Sequence, residues 1–170
     1  ECNASAFASE YFQHLHKMPE LGWEEHKTSA FIADELESLG LEVHRNILDT
    51  TAVVGILHGK MAGPVLAMRA DMDALPYPDE NGGIRAIHAC GHDAHSSIVL
   101  SVAKRLATEG GIEKGEIRFI FQPAEEKLGG AKLILSSGEL EGIDGIIGCH
   151  LRPTQDLLLH EATAKVLHAA

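Results

Sequence analysis

The sequence has little with which to cross-link itself. Three cysteines, Cys2, Cys90 and Cys149, in 170 residues are too few and too odd in number for a disulfide framework. A reducing, cytoplasmic setting is the expectation. Cations are also short, with 14 Lys and Arg against 25 Asp and Glu, for a formal charge of −11. That argues against nucleic acid and against an anionic membrane as partners, since both need a cationic face. No apolar run approaches the roughly 20 residues that span a bilayer. The opening stretch lacks the charged-then-apolar order of a signal peptide. Aromatics make up only 5% of the chain, so aliphatic packing must dominate its core. Repeats, low-complexity tracts and clear linkers are absent.

What remains is an ordinary globular composition, 45% hydrophobic and 23% charged, at a length that suits one domain. Residues 6–17 can form an amphipathic helix that ends before Pro19. A second helix is expected over about 24–39, with Gly40 as its C-cap. Strand-like runs rich in β-branched and aliphatic residues follow at 41–46, 52–59 and 64–73. A loop carrying Pro76, Pro78, Gly82 and Gly83 comes next, then a helix over 94–110, a strand over 115–122 and a short helix over 129–140. The run 143–150 is almost wholly apolar and reads as a strand buried on both faces. Alternating strands and helices point to a layered α/β fold.

The polar residues gather at the ends of these strands. They fall in "RADMD" (69–73), "HACGHDAH" (88–95), "QPAEE" (122–126) and "GCH" (148–150). Ligands of open α/β sheets bind at the carboxyl ends of strands, so these four segments can build one site. Cys90 and His92, one small residue apart, can reach one metal, and His88, Asp93 and His95 crowd the same stretch. Glu125 and Glu126 follow an apolar strand. If the chain there is extended they point opposite ways, one toward a metal and one toward a water. A solvated acidic pair opening a helix is the plainer alternative. Asp71 and Asp73 are expected to face one side, where they can bridge cations or orient a histidine, with Arg69 as partner to either. His150, at the end of a buried strand, needs a partner or a metal, whereas Cys149 should point into the core. His14, His16, His26, His44 and His58 read as surface residues.

Several of these stretches occur together in one family. "LHKMPELGWEEHKTSAFIADELESLG", "RADMDALP", "HACGHDAH", "FQPAEE" and "GCHLRP", in this order, resemble the metal-dependent amidohydrolases of the aminoacylase/carboxypeptidase group. That group includes hippurate hydrolases, N-acyl-amino-acid hydrolases and auxin-conjugate hydrolases. The resemblance implies a three-layer zinc-peptidase-like α/β domain with a mostly parallel mixed sheet. It implies a two-metal site for zinc, manganese or cobalt, with Cys90, His92, Glu126 and His150 as ligands. It also makes Glu125 the general base and acid, and Asp71 an acid supporting the site. The substrate would be a small N-acyl amino acid or a short peptide-like amide.

Family members are longer than this chain. By the resemblance, residues 1–170 are the N-terminal portion of the catalytic domain and stop where a lid and dimerisation domain would begin. The return to the catalytic domain, with one more ligand histidine, is then absent, and His160 and His168 fall too early to replace it. Four side-chain ligands suffice for one well-held metal, and the uncovered sheet should drive homo-oligomer formation. Three readings compete: a hydrolase, a catalytically incomplete metal-binding fragment stable only by self-association, and an enzyme with Cys90 as nucleophile beside His92 or His95. The last leaves Glu125, Glu126 and His150 without roles.

Overall fold

The computed structural model describes residues 4–151. Cys2, His160, His168 and the stretch after Leu151, with the expectations placed on them, lie outside the described residues. Helices α1 (Ala4–Leu15) and α2 (His26–Ser38) lead into strands β1 (Glu42–His44), β2 (Val53–His58) and β3 (Met61–Asp71). A hairpin of β4 (Leu75–Pro78) and β5 (Ile84–Ile87) precedes α3 (His92–Thr108). Strand β6 (Lys114–Gln122), α4 (Gly130–Ser136) and β7 (Gly145–Gly148) complete the order.

The main sheet runs β1-β2-β6-β3-β7. It is mixed: β2 pairs antiparallel with β1 and β6, whereas β3 pairs parallel with β6 and β7. Side-chain alternation along its central strands sorts residues onto two faces. Phe119, Phe121 and Val53 join Leu15 of α1, Leu36 of α2 and Leu100 of α3 on one face. Ile120, Val54 and Ala67 meet Ile134 of α4 on the other. The result is three layers, helices on both sides of a sheet, as expected. Gly55 is where α2 comes closest, since a Cβ there would lie 2.9 Å from a Leu36 methyl.

Two expectations about the chain are corrected. The proline-rich segment is not an open loop but a hairpin. Asp79 Oδ1 accepts from the amides of Asn81 and Gly83, and Gly82 takes the left-handed conformation that closes the turn. Pro76 and Pro78 are tolerated because each strand of a two-stranded ribbon is an edge. Strand β7 is not buried on both faces. It is the sheet edge among the described residues, with Ile146 and Ile147 55% and 63% exposed. Its apolar run signalled a central strand, but among the described residues β7 pairs only with β3. Cys149, expected in the core, is accordingly exposed.

Candidate metal centre

Strands β3 and β6 run parallel, so Asp71 lies opposite Gln122 at their shared carboxyl end. Helix α3 starts beside them. Gly91 adopts a left-handed conformation that turns the chain sharply, and the helix opens at His92, two residues earlier than the sequence indicates. Asp93 stabilises that first turn, its Oδ1 accepting from the Ala94 amide. His92 and His95 are thereby fully buried over the strand ends.

The acids after β6 do not lie on extended chain. Pro123 to Leu128 form a turn in which Ala124 has a positive φ of 48°. Glu125 and Glu126 therefore point the same way, correcting the opposed orientation expected from extended backbone. Their carboxylates lie 4.0 and 3.8 Å from His92 Nε2. Two buried acids hold this turn from beneath. Glu25 Oε1 accepts from the Ala124 amide at 2.8 Å, and its Oε2 accepts from the Thr51 hydroxyl. Asp73 accepts from the next two amides, Glu125 and Glu126, each at 3.0 Å. Glycines allow the close approach: a Cβ on Gly130 would collide with the Pro123 carbonyl.

The histidines differ in what they leave free. Asp73 Oδ1 lies 3.3 Å from His92 Nδ1, so that nitrogen donates and Nε2 presents its lone pair. His92 Nε2 is buried and has no hydrogen-bond partner among the described residues, yet Asp71, Glu125 and Glu126 all face it. His150 donates from Nδ1 to the Leu151 carbonyl, which turns its Nε2 toward Cys90 Sγ, 3.6 Å away. His95 is different. Its Nδ1 donates to Asp71 at 2.6 Å and its Nε2 accepts from the Leu151 amide at 2.9 Å. With both nitrogens engaged, His95 has nothing left to offer a metal, although it sits with Asp71 and His92 in one of the clusters capable of holding one.

The other two such clusters are Cys90–His92–His150 and His92–Glu125–Glu126, and they share His92. The other sequence-predicted site residues, Cys90, His150, Glu125, Glu126 and Asp71, are thus brought around His92. Asp71 itself accepts from His95 and from Arg69, whose other nitrogens hold Gln122. Burial would raise its carboxyl, but the His95 bond and the Arg69 charge bring it down to about 2. Asp73 is likewise lowered against the effect of burial, by His92 and the two amides. Burial and the nearby Glu126 and Glu125 push the Cys90 thiol up to about 11. Those surroundings hold a proton on sulfur, the reverse of what an activated nucleophile needs. A buried, orphaned imidazole nitrogen ringed by carboxylates and a thiol fits a divalent cation, and the sulfur favours a softer one.

His150 does not end a buried strand as expected. It lies just beyond β7 and is exposed. His16, read as a surface residue, is largely exposed but also pairs through Nδ1 with buried Asp93 at 2.6 Å. The role of Glu25 is not readable from sequence, since an acid ahead of α2 looks like an ordinary helix-opening residue. Glu20 serves that end instead, accepting from the Lys27 and Thr28 amides.

Comparison with known proteins agrees with this geometry. The sequence profile of peptidase family M20/M25/M40 matches residues 67–163. An N-acyl-L-amino acid amidohydrolase of Geobacillus stearothermophilus is 44% identical over 147 residues, covering 82% of this chain and 39% of that protein. Thermostable carboxypeptidase 1 of Saccharolobus solfataricus is 42% identical over 146 residues, 81% of this chain and 37% of its own length. The chain therefore spans well under half the length of these relatives. Among solved structures, a Bacillus subtilis dinuclear metal binding peptidase of the M20 family superposes with a TM-score of 0.78 at 36% identity, covering 88% of this chain and 44% of that one.

Proposed function

The chain belongs to peptidase family M20/M25/M40, and from that premise we propose that its site hydrolyses the amide bond of small N-acyl amino acids or short peptide-like amides. The observation that carries the reading is His92, whose Nε2 is buried without a partner among the described residues and which the clusters containing Cys90, His150, Glu125 and Glu126 share. Cys90, His92, Glu126 and His150 would hold a divalent ion of the zinc, manganese or cobalt class, with room for a second in the full family site. Such a cation supplies polarisation of a carbonyl and acidification of water. Glu125 is the general base: its carboxylate, about two-fifths exposed beside His92, takes the water proton and returns it to the leaving amine. Asp71 supports the site through Arg69 and His95, and Asp73 and Glu25 hold the turn that presents Glu125.

The described residues are read as the N-terminal portion of a catalytic domain, working in a reducing, cytoplasmic setting. Both described cysteines are unpaired, and no described helix is long and apolar enough to cross a membrane. A second reading, a metal-binding piece without turnover that persists as a homo-oligomer, is favoured by the exposed Ile146 and Ile147 on edge strand β7 and Leu66 on the neighbouring β3.

Metal content measured together with hydrolysis of N-acetyl- and N-benzoyl-amino acids, wild type beside Glu125→Gln, tests both. Metal-dependent turnover lost in Glu125→Gln supports the hydrolase. Bound metal with no turnover supports the second reading. Failure to bind metal in excess would sink the ligand assignment.

A further inference from the structure

The stretch "PELGWEE" (19–25) supplies no ligand and no base to the proposed site, yet it packs against the turn that carries Glu125 and Glu126. At one end, Leu21 bridges to Ala74, the residue after Asp73, and the Ala74 amide donates to the Glu20 carbonyl at 2.8 Å. At the other end, Glu25 holds the Ala124 amide. Between them, a Cβ on Gly22 would lie 3.1 Å from both Ala124 Cα and Asp73 Oδ2. Trp23 comes next, and its ring reaches the far end of the turn: a Cβ on Gly129 would lie 2.6 Å from Trp23 Cζ2. From this contact, and resting on the hydrolase reading above, we infer that Trp23 is a positioning residue. Its indole, seated on Gly129, fixes the outer end of the turn and with it the aim of Glu125 and Glu126.

Strain shows why the outer end needs a hold. The turn carries a left-handed residue near each end, Ala124 at φ 48° and Leu128 at φ 54°. Such conformations persist only where the surroundings impose them. The inner end rests on Glu25 and Asp73 through three amides. The outer end is held by packing instead: Leu128 is 91% exposed, and the Trp23 ring lies against the next residue, Gly129. Trp23 is itself left-handed at φ 70°, which a bulky residue rarely adopts. The ties of its loop to Ala74 and Ala124 keep it there.

The ring is not a piece of the core. It belongs to neither apolar cluster around the sheet. Away from the turn it borders a cavity of about 390 Å³ shared with His26, Asn46, Asp49 and Thr51. An aromatic residue in a strained conformation, set outside both cores and pressed on the segment that carries the base, acts on that segment rather than on the fold as a whole.

The test compares Trp23→Ala, Trp23→Phe, Gly129→Ala and the Trp23→Ala/Gly129→Ala pair with wild type. Metal affinity is read by chelator competition, and kcat and KM with an N-acetyl-amino acid. Circular dichroism checks that each variant folds. Trp23→Ala is expected to lower kcat about ten-fold with KM within about two-fold, because a displaced base loses rate rather than binding. Metal affinity should fall about ten-fold through Glu126. Trp23→Phe keeps a ring on Gly129 and should recover most of both. Gly129 has φ −157°, open to alanine, and the three atoms nearest an added Cβ all belong to Trp23. Gly129→Ala should therefore push the ring away and copy Trp23→Ala, while the pair should be no worse than Trp23→Ala alone. Acrylamide quenching of Trp23, the one tryptophan of the sequence, should rise in Gly129→Ala as the ring is displaced. Unchanged kcat and metal affinity in Trp23→Ala overturn the inference. So do losses that multiply in the pair, quenching unchanged in Gly129→Ala, or a rise in KM alone, which would place the ring on the substrate. Coupled losses of metal affinity without turnover in any form leave the positioning role standing and count against the hydrolase reading instead.

Discussion

Glu25 and Ala124 are 99 residues apart in sequence and joined by one 2.8 Å hydrogen bond inside the protein. With Asp73 accepting from the following two amides, three consecutive backbone N–H groups rest on two buried carboxylates. This arrangement sets where Glu125 and Glu126 point. Ala124 holds a left-handed conformation uncommon for a residue with a Cβ, and the clamp offsets that cost.

Glu25→Ala should be strongly destabilising. It leaves the Ala124 amide and the Thr51 hydroxyl without their acceptor in a fully buried place. A loss of about 2–4 kcal/mol is expected. Glu25→Gln keeps an acceptor for Ala124 and offers Thr51 a donor, so it should cost less than about 1.5 kcal/mol. Urea unfolding of the two variants beside wild type checks the order. Equal losses would mean that the charge, not the acceptor geometry, matters.

Asp73→Asn should weaken metal binding while leaving the proposed ligands in place. One Asn oxygen cannot replace both carboxylate oxygens, so either the Glu125 or the Glu126 amide would face an NH₂ group. The contact that orients His92 through Nδ1 is disturbed as well. Loss of such an outer partner lowers metal affinity by about 10- to 100-fold. Competition against a chromogenic chelator measures it, and affinity within two-fold of wild type would rule out the orienting role.

Much of this layout could be read from residue pattern. The alternation of Phe119, Ile120 and Phe121 marks a strand with a core on each side, and both cores exist. The four polar strand ends converge as parallel pairing of β3 and β6 requires. Finer features were hidden for local reasons. His92 opens α3 because Gly91 turns left-handed, and a glycine's φ is not written in its neighbours. The Glu125–Glu126 pair converges because Ala124 also does, which alanine does not advertise. Asp71 ends β3 and Asp73 lies two residues beyond it, so strand alternation could not tell which acid would serve His95 and which His92. Strand β7 looked central by composition, but an apolar run does not say which strands flank it, and among the described residues β7 pairs only with β3.

That edge yields a prediction about association. Leu66 on β3 is 44% exposed, and Ile146 and Ile147 on β7 are 55% and 63% exposed; among the described residues, β7 has one unpaired edge. Ile147→Lys places a charge on this surface, a common guard against edge pairing. Sedimentation should show a shift toward monomer relative to wild type. An unchanged distribution would place any self-association on a different face.

The last prediction concerns pH and a site remote from the metal centre. His44 on β1 reaches Glu139 beyond α4 at 2.8 Å, tying the first strand to the segment that leads into β7. The hydrogen bond to Glu139 raises the His44 imidazole above its ordinary value, against the opposing effect of burial, and Glu42 adds to the rise. A folded value above the unfolded one means that the unfolded chain loses this proton first as pH rises. The stabilisation is therefore present in full below the ordinary histidine value and fades as pH climbs through the raised one. Both side chains reach solvent, His44 at 39% exposure, so the contribution is small and screened by salt. Glu139→Gln should lower the melting temperature slightly at about pH 5.5 and leave it unchanged at about pH 9, where the imidazole is neutral in both states. A difference that grew with pH would contradict the sign of this pairing and point to Glu139 acting through another contact.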